Sequence, residues 1–209
     1  MDYAALNGDL VASRTQGPEA PRRLARVIEE ANQRYETVLA APFEQSKGDA
    51  FQALFRNPGH VPRALLWLEA RLRERGLAAR YGVGLGAVEG LQGAFAPSPA
   101  LLTGPAFLRA EAALAEARAE GILAAIQSGE FRWDGAANAV LLLLGHLAGR
   151  WPRGVWRRLR VYLEAGQLKA VAAAEGVSYQ AVHKQFADRG VRTALLALDR
   201  LAEGLGGGR

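Results

Sequence analysis

The chain has 209 residues, half of them apolar, with 26 Lys and Arg against 21 Asp and Glu, a formal net charge of +5. That length accommodates one sizeable core plus a small second unit, and apolar runs broken regularly by charge and glycine belong to a globular chain, not a disordered one. The absence of cysteine excludes disulfides, thiolate metal sites, iron–sulfur clusters and cysteine nucleophiles, and makes the cytoplasm the expected location.

The N-terminus has neither a basic start nor a long apolar stretch, so no signal peptide is expected there. The longest apolar block, Ala139 to Leu144, is too short to cross a bilayer, and no membrane role is expected.

In chain order, Tyr3 to Leu6 reads as a strand closed by the turn-like Asn7-Gly8-Asp9. Pro21 to Leu39 carries Leu24, Val27, Ile28, Ala31, Tyr35, Val38 and Leu39 at helical spacing, with Pro21 near its start. From Pro42 to Phe55, two short extended segments flank Ser46-Lys47-Gly48-Asp49, a hairpin signal. Val61 to Arg75 is a second helix ending at Gly76. Ala79 to Val88 is a fourth strand with Tyr81, Val83, Leu85 and Ala87 on one face. The order βαββαβ is that of a ferredoxin-like, split-βαβ sheet with two helices on one face. A third helix, Pro105 to Glu120, and a short strand, Ile122 to Ile126, extend it, and the first domain is expected to span residues 1–128.

Gly82, Gly84 and Gly86 leave one face of the fourth strand bare, for a closely packed helix or a close ligand. Packing is the reading adopted, because the spacing is not that of a dinucleotide-binding loop.

Residues 129–209 are helical in period throughout: Gly135 to Leu147, Gly154 to Glu164, Gln167 to Glu175, Ser178 to Phe186 and Arg192 to Leu201, followed by a glycine-rich tail. The fold class is therefore α+β, with an α/β domain followed by an all-α one. Charge divides along the same line. Residues 1–149 hold 15 Lys and Arg against 16 Asp and Glu, a net −1; residues 150–209 hold 11 against 5, a net +6. A basic unit beside a neutral one is the footprint expected where one end of a chain meets a polyanion.

Gln167 to Phe186 has the spacing of a helix-turn-helix. Ala172 is small where a second helix would cross the first, Gly176 permits a left-handed turn, Val177 and Val182 fill the wedge, and Ser178 can cap the second helix. The second helix would expose Tyr179, Gln180, His183 and Lys184, and Gln180 and Lys184 suit base edges or phosphate. Upstream, Arg150 to Arg160 holds five arginines and two tryptophans, and Arg157 and Arg158 suit phosphate. Trp151 and Trp156 read as core. Such a helix pair can also be structural or an interaction module, against which the C-terminal basic excess argues, and with only His60 and His146 besides His183, no histidine cluster exists to bind metal.

In a split-βαβ sheet the third strand lies antiparallel beside the first, which brings Asp9 near Asp49. Paired carboxylates at a sheet edge suit one or two magnesium ions holding phosphate oxygens. Equally, Asn-Gly-Asp and Lys-Gly-Asp are common turn sequences in which the aspartate serves the turn. Ser13 and Arg14, just beyond Asp9, suit phosphate or a turn leading into a helix.

The segments Asn7-Gly-Asp-Leu-Val-Ala-Ser-Arg14, Phe43-Glu-Gln-Ser-Lys-Gly-Asp-Ala-Phe-Gln-Ala-Leu54, Tyr81-Gly-Val-Gly-Leu-Gly86 and Gly104-Pro-Ala-Phe107, with the terminal helix pair, resemble the SatD family of bacterial proteins over nearly the whole chain. The first-domain segments also resemble, more distantly, class III nucleotide cyclases and their palm-like βαββαβ cores. That resemblance implies metal binding at Asp9 and Asp49; Lys47, downstream of where the cyclases place their purine-selecting lysine, joins Ser13 and Arg14 as the candidate nucleotide contacts. The cyclases' transition-state asparagine and arginine align with Leu108 and Ala112, with Arg109 out of register, which implies binding over turnover, and no catalytic residue is assigned. The expectation is a sequence-specific DNA-binding protein, a transcriptional regulator whose first domain senses a ligand or dimerises, forming a homodimer because such motifs bind paired half-sites. The alternative is a metal-dependent nucleotide-binding or nucleotidyl-converting enzyme of cyclase-like fold, and a third is an interaction domain without either activity.

Overall fold

A computed structural model describes residues 3–11, 17, 19–46 and 48–206. The chain is α+β, with one five-stranded mixed sheet and eight α-helices among the described residues. The sheet is built from β1 (Tyr3–Leu10), β2 (Leu39–Gln45), β3 (Ala50–Phe55), β4 (Ala79–Gly86) and β5 (Ala124–Gln127), in the order β2-β3-β1-β4-β5. β1 runs antiparallel to β3 and β4, β2 pairs antiparallel with β3, and β5 lies parallel to β4.

Alternation along β1 sorts its side chains to two faces. Ala4, Leu6 and Leu10 join α1 (Ala20–Tyr35) and α2 (Val61–Glu74) in the main core. Ala5 faces the other way, toward Leu54, Ala106 and Ala110. Those alanines belong to α3 (Pro105–Glu120), which crosses that second face. Contact between α3 and β4 is backbone to backbone. A Cβ at Gly82 or Gly84 would fall closer than 3.0 Å to main-chain atoms of Ala110 and Leu114, or of Ala106, Arg109 and Ala110. The bare face of the strand is thus filled by a helix.

Four expected boundaries move. Asn7-Gly8-Asp9 is not a turn, because β1 continues through it with neighbours on both sides: Asp9 pairs with Ala50 and with Arg80, and Val11 N–H donates to Ala78 O at 2.8 Å. Gly8 is there for space, since a Cβ would strike the Phe51 ring. α1 stops at Tyr35, and Leu39 instead opens β2 opposite Phe55. The fourth helix, α4 (Phe131–Ala148), starts a turn before Gly135. The Asp134 carboxylate in its first turn accepts from Ser128 N–H at 2.8 Å and Ser128 Oγ at 2.6 Å, which secures that end. α8 (Val191–Gly206) runs past Leu201, because Leu205 is buried in the main core.

α5 (Arg153–Ala165), α6 (Leu168–Glu175) and α7 (Tyr179–Asp188) complete the fold. They and α8 close a second cluster around Trp151, Val155, Trp156, Val171, Val182 and Phe186. Both tryptophans are core, meeting edge to face with centroids 5.0 Å apart. This second core also takes Leu66 and Ala70 from α2, whereas Leu65, Trp67, Leu68 and Leu72 of the same helix enter the first. α2 therefore serves both cores, and packing runs across residue 128. The free edge of β5 is closed by Asn138 of α4, which accepts from Ile126 N–H at 2.8 Å and donates to Ile126 O at 3.1 Å.

Gly84→Ala is expected to destabilise by about 3 kcal/mol, the upper part of the overpacking range, because the groups it meets are main chain and can move only with the whole of α3. A urea midpoint equal to that of the wild type would mean that α3 lifts freely from the sheet.

Candidate functional site

Two places gather the residues singled out above. In the first, α6 and α7 are joined by Gly176 in the left-handed region at φ 63°, and Ser178 Oγ accepts from Ala181 N–H at 3.1 Å at the start of α7. Val171, Ala172, Val182 and Phe186 are buried between the helices and α5. The opposite side of α7 carries Tyr179 and Gln180, both exposed, then His183 and Lys184. Tyr179 stacks on His183 with centroids 6.0 Å apart, and Lys184 Nζ donates to Asp188 at 2.7 Å across an exposed pair.

Arg157 and Arg158 both bond to groups of the chain itself, Arg157 with its side chain still exposed and Arg158 largely covered. Arg157 Nε and Nη2 donate to the two Glu175 oxygens at 2.7 and 2.6 Å. Arg158 Nε donates to the same carboxylate at 3.3 Å and its Nη1 to Gln185 Oε1 at 2.7 Å. The Glu175 side chain is only 8% exposed. The sequence reading did not single out Glu175, and it clamps α5 to the end of α6. Hydrogen bonding from Arg157 and then the charges around it hold the Glu175 carboxyl below the usual carboxylate range, against the opposing effect of burial.

The second place is the far end of β1, on the α3 side of the sheet. Asn7 stands opposite Gln52 and Asp9 opposite Ala50, with Gly82 and Arg80 flanking them on β4. Asp9 and Asp49 are brought together through the backbone, Leu10 N–H donating to Asp49 O at 3.1 Å. The Asp9 carboxylate, however, turns to α3, where Arg118 Nε donates to its Oδ2 at 2.8 Å. Its other oxygen and Asn7 Oδ1 are both buried with no hydrogen-bond partner among the described residues. Ser13, Arg14 and Lys47 lie outside the described residues. Leu108 and Ala112 are exposed, while Arg109 donates from Nη1 to Leu85 O at 2.6 Å, a packing role. Among the described residues no three His, Asp or Glu side chains gather as a metal-binding group.

A cleft of about 550 Å³ lies elsewhere, between α3, β5 and α4. Of its polar groups, Glu116 is engaged by Gln127 and Asn138, and Asp134 by Ser128, and most of the remaining wall is apolar.

A five-stranded mixed sheet followed by a helical C-terminal part thus defines the class of protein. The family model described as the SatD family matches residues 3–121, and the chain belongs to that family. The match covers the sheet as far as α3 and stops before the terminal helices. No curated protein matches the chain. No helix among the described residues is long and apolar enough to cross a membrane.

Because the folded pKa of Glu175 lies below its unfolded one, its contribution to stability is present above the ordinary glutamate range and is lost as pH falls through the lowered value. Unfolding free energies of the wild type and Glu175→Gln, measured in urea across the acid range, should differ at neutral pH and converge in acid. A gap that stays constant with pH would show that the carboxylate charge is not what ties α5 to α6.

Proposed function

We propose that the chain is a sequence-specific DNA-binding protein in which α6 and α7 act as a helix-turn-helix. In this reading α7 enters the major groove, and the sheet domain, a ferredoxin-like βαββαβ core with one added strand, senses a ligand or dimerises. The observation that carries it is the division of α7: Val182 and Phe186 are buried, whereas Tyr179, Gln180, His183 and Lys184 line the outer side. The excess of six positive charges in residues 150–209 supports the same partner. A cytoplasmic transcriptional regulator working as a homodimer follows from it, because paired half-sites call for two copies of α7.

Gln180 is the side chain suited to a bidentate contact with adenine, a pairing worth about 1–3 kcal/mol of discrimination against the wrong base. After selection of a preferred duplex from a random pool, Gln180→Ala should bind preferred and substituted sites nearly alike in fluorescence anisotropy. A wild type that prefers no sequence would overturn the proposal.

The unpartnered oxygens of Asn7 and Asp9 favour a second reading, a cation or nucleotide held at the end of β1, since buried acceptors without donors call for a bound partner. A magnesium ion there would take Asp9, Asn7 and ligand phosphate. Titration calorimetry with magnesium and a nucleoside triphosphate should show heat of binding that Asp9→Asn abolishes. The absence of heat from the wild type with magnesium or manganese would sink this reading.

A further inference from the structure

We infer that Arg192, on the first turn of α8, is a DNA phosphate contact of this protein, and that Arg157 and Arg158 are struts committed to Glu175 that touch no phosphate. The inference rests on the DNA-binding reading and assigns roles within that surface. Arg192 is exposed and, among the described residues, has no carboxylate partner. Its Nη1 lies 3.2 Å from His183 Nε2. A guanidinium can only donate, so this contact is a hydrogen bond where Nε2 carries no proton. The Tyr179 ring, the His183 ring stacked on it and the Arg192 guanidinium therefore form a continuous row beside the outer side of α7. One Arg192 nitrogen is steadied by the imidazole while its remaining N–H groups stay open, a fork suited to phosphate oxygens.

Arg157 and Arg158 stand in the opposite condition. Arg157 is exposed, but its Nε and Nη2 are already bonded to both oxygens of a largely buried Glu175 carboxylate, whose charge offsets its own. Unless it moved away, that carboxylate would also repel the incoming phosphate. Lys184 differs from both, because its pair with Asp188 is exposed at both ends, holds weakly and yields readily to a stronger anion.

The test is the salt dependence of binding of the full-length protein to a labelled duplex, followed by fluorescence anisotropy for the wild type, Arg192→Ala, Arg192→Lys and Arg157→Ala. Each phosphate contact adds about one to the slope of log affinity against log salt. Arg192→Ala should lower that slope by about one and weaken all duplexes by a similar factor. Arg192→Lys should restore the slope, and Arg157→Ala should leave it unchanged. A slope lowered by Arg157→Ala and untouched by Arg192→Ala would overturn the assignment while leaving DNA binding intact. If Arg157→Ala does not fold, an unchanged slope in Arg192→Ala overturns it alone. A wild type that binds no duplex would remove the DNA-binding reading, and this assignment with it.

Discussion

Between the sheet and the terminal helices lies α2, and its burial on nearly every side is the constraint to which the two halves of the chain both answer. Ten of its fourteen residues are buried, one of them a glutamate with no exposure at all. A helix covered all round belongs at the centre of a structure, not on its surface. Glu69 is tolerated there because three donors converge on it: Arg73 Nε at 2.6 Å, Tyr81 O–H at 3.0 Å and the Ala79 amide at 3.2 Å. Burial still pushes its carboxyl above the ordinary range, the same direction in which burial drives Tyr81. The arrangement fastens the start of β4 to α2 and so sets where the central strands sit relative to the second core. Around it, Glu74 receives Arg71 and Arg160 at 3.1 and 2.9 Å, and Trp67 Nε1 donates to Glu164 at 3.0 Å, which ties α2 to α5.

The opposite face of the sheet is governed by absence of side chains. Gly82 and Gly84 bring α3 onto β4 at main-chain distance, with Ala106 and Ala110 as the matching small residues. Close approach there brings Arg118, near the end of α3, over Asp9. The polar end of β1 is thus a consequence of the glycine pattern two strand positions away, and two acceptor oxygens in it have no donor among the described residues.

Charge tells a parallel story in the helical part. A net +6 over residues 150–209 describes a composition, whereas the field outside the molecule depends on which cations are already neutralised. Arg157, Arg158 and Arg160 are spent on Glu175, Glu74 and Glu164, while Arg192 is not paired with any carboxylate among the described residues. The first turn of α8 therefore holds one cation of that excess that faces solvent with no carboxylate partner among the described residues.

Features governed by neighbours a few residues away were legible in the amino-acid order. The hairpin around Gly48, the left-handed Gly176, the Ser178 cap, the extent of α3 and the packing role of the alternating glycines all follow from backbone freedom, capping chemistry or apolar period. The family resemblance, too, was carried by short segments. Tertiary structure alone decided the rest. Asn7-Gly8-Asp9 has a turn's composition, yet strands on both sides and the Phe51 ring beneath Gly8 hold it extended. Asp9 meets an arginine 109 positions away, and Arg157 a glutamate 18 away. Arg192 reaches His183 only because α8 folds back beside α7. Spacing reports which residues share a face of one element, but the partner of a charge is whatever the packing of other elements brings within hydrogen-bond reach, and that is set by the whole chain at once.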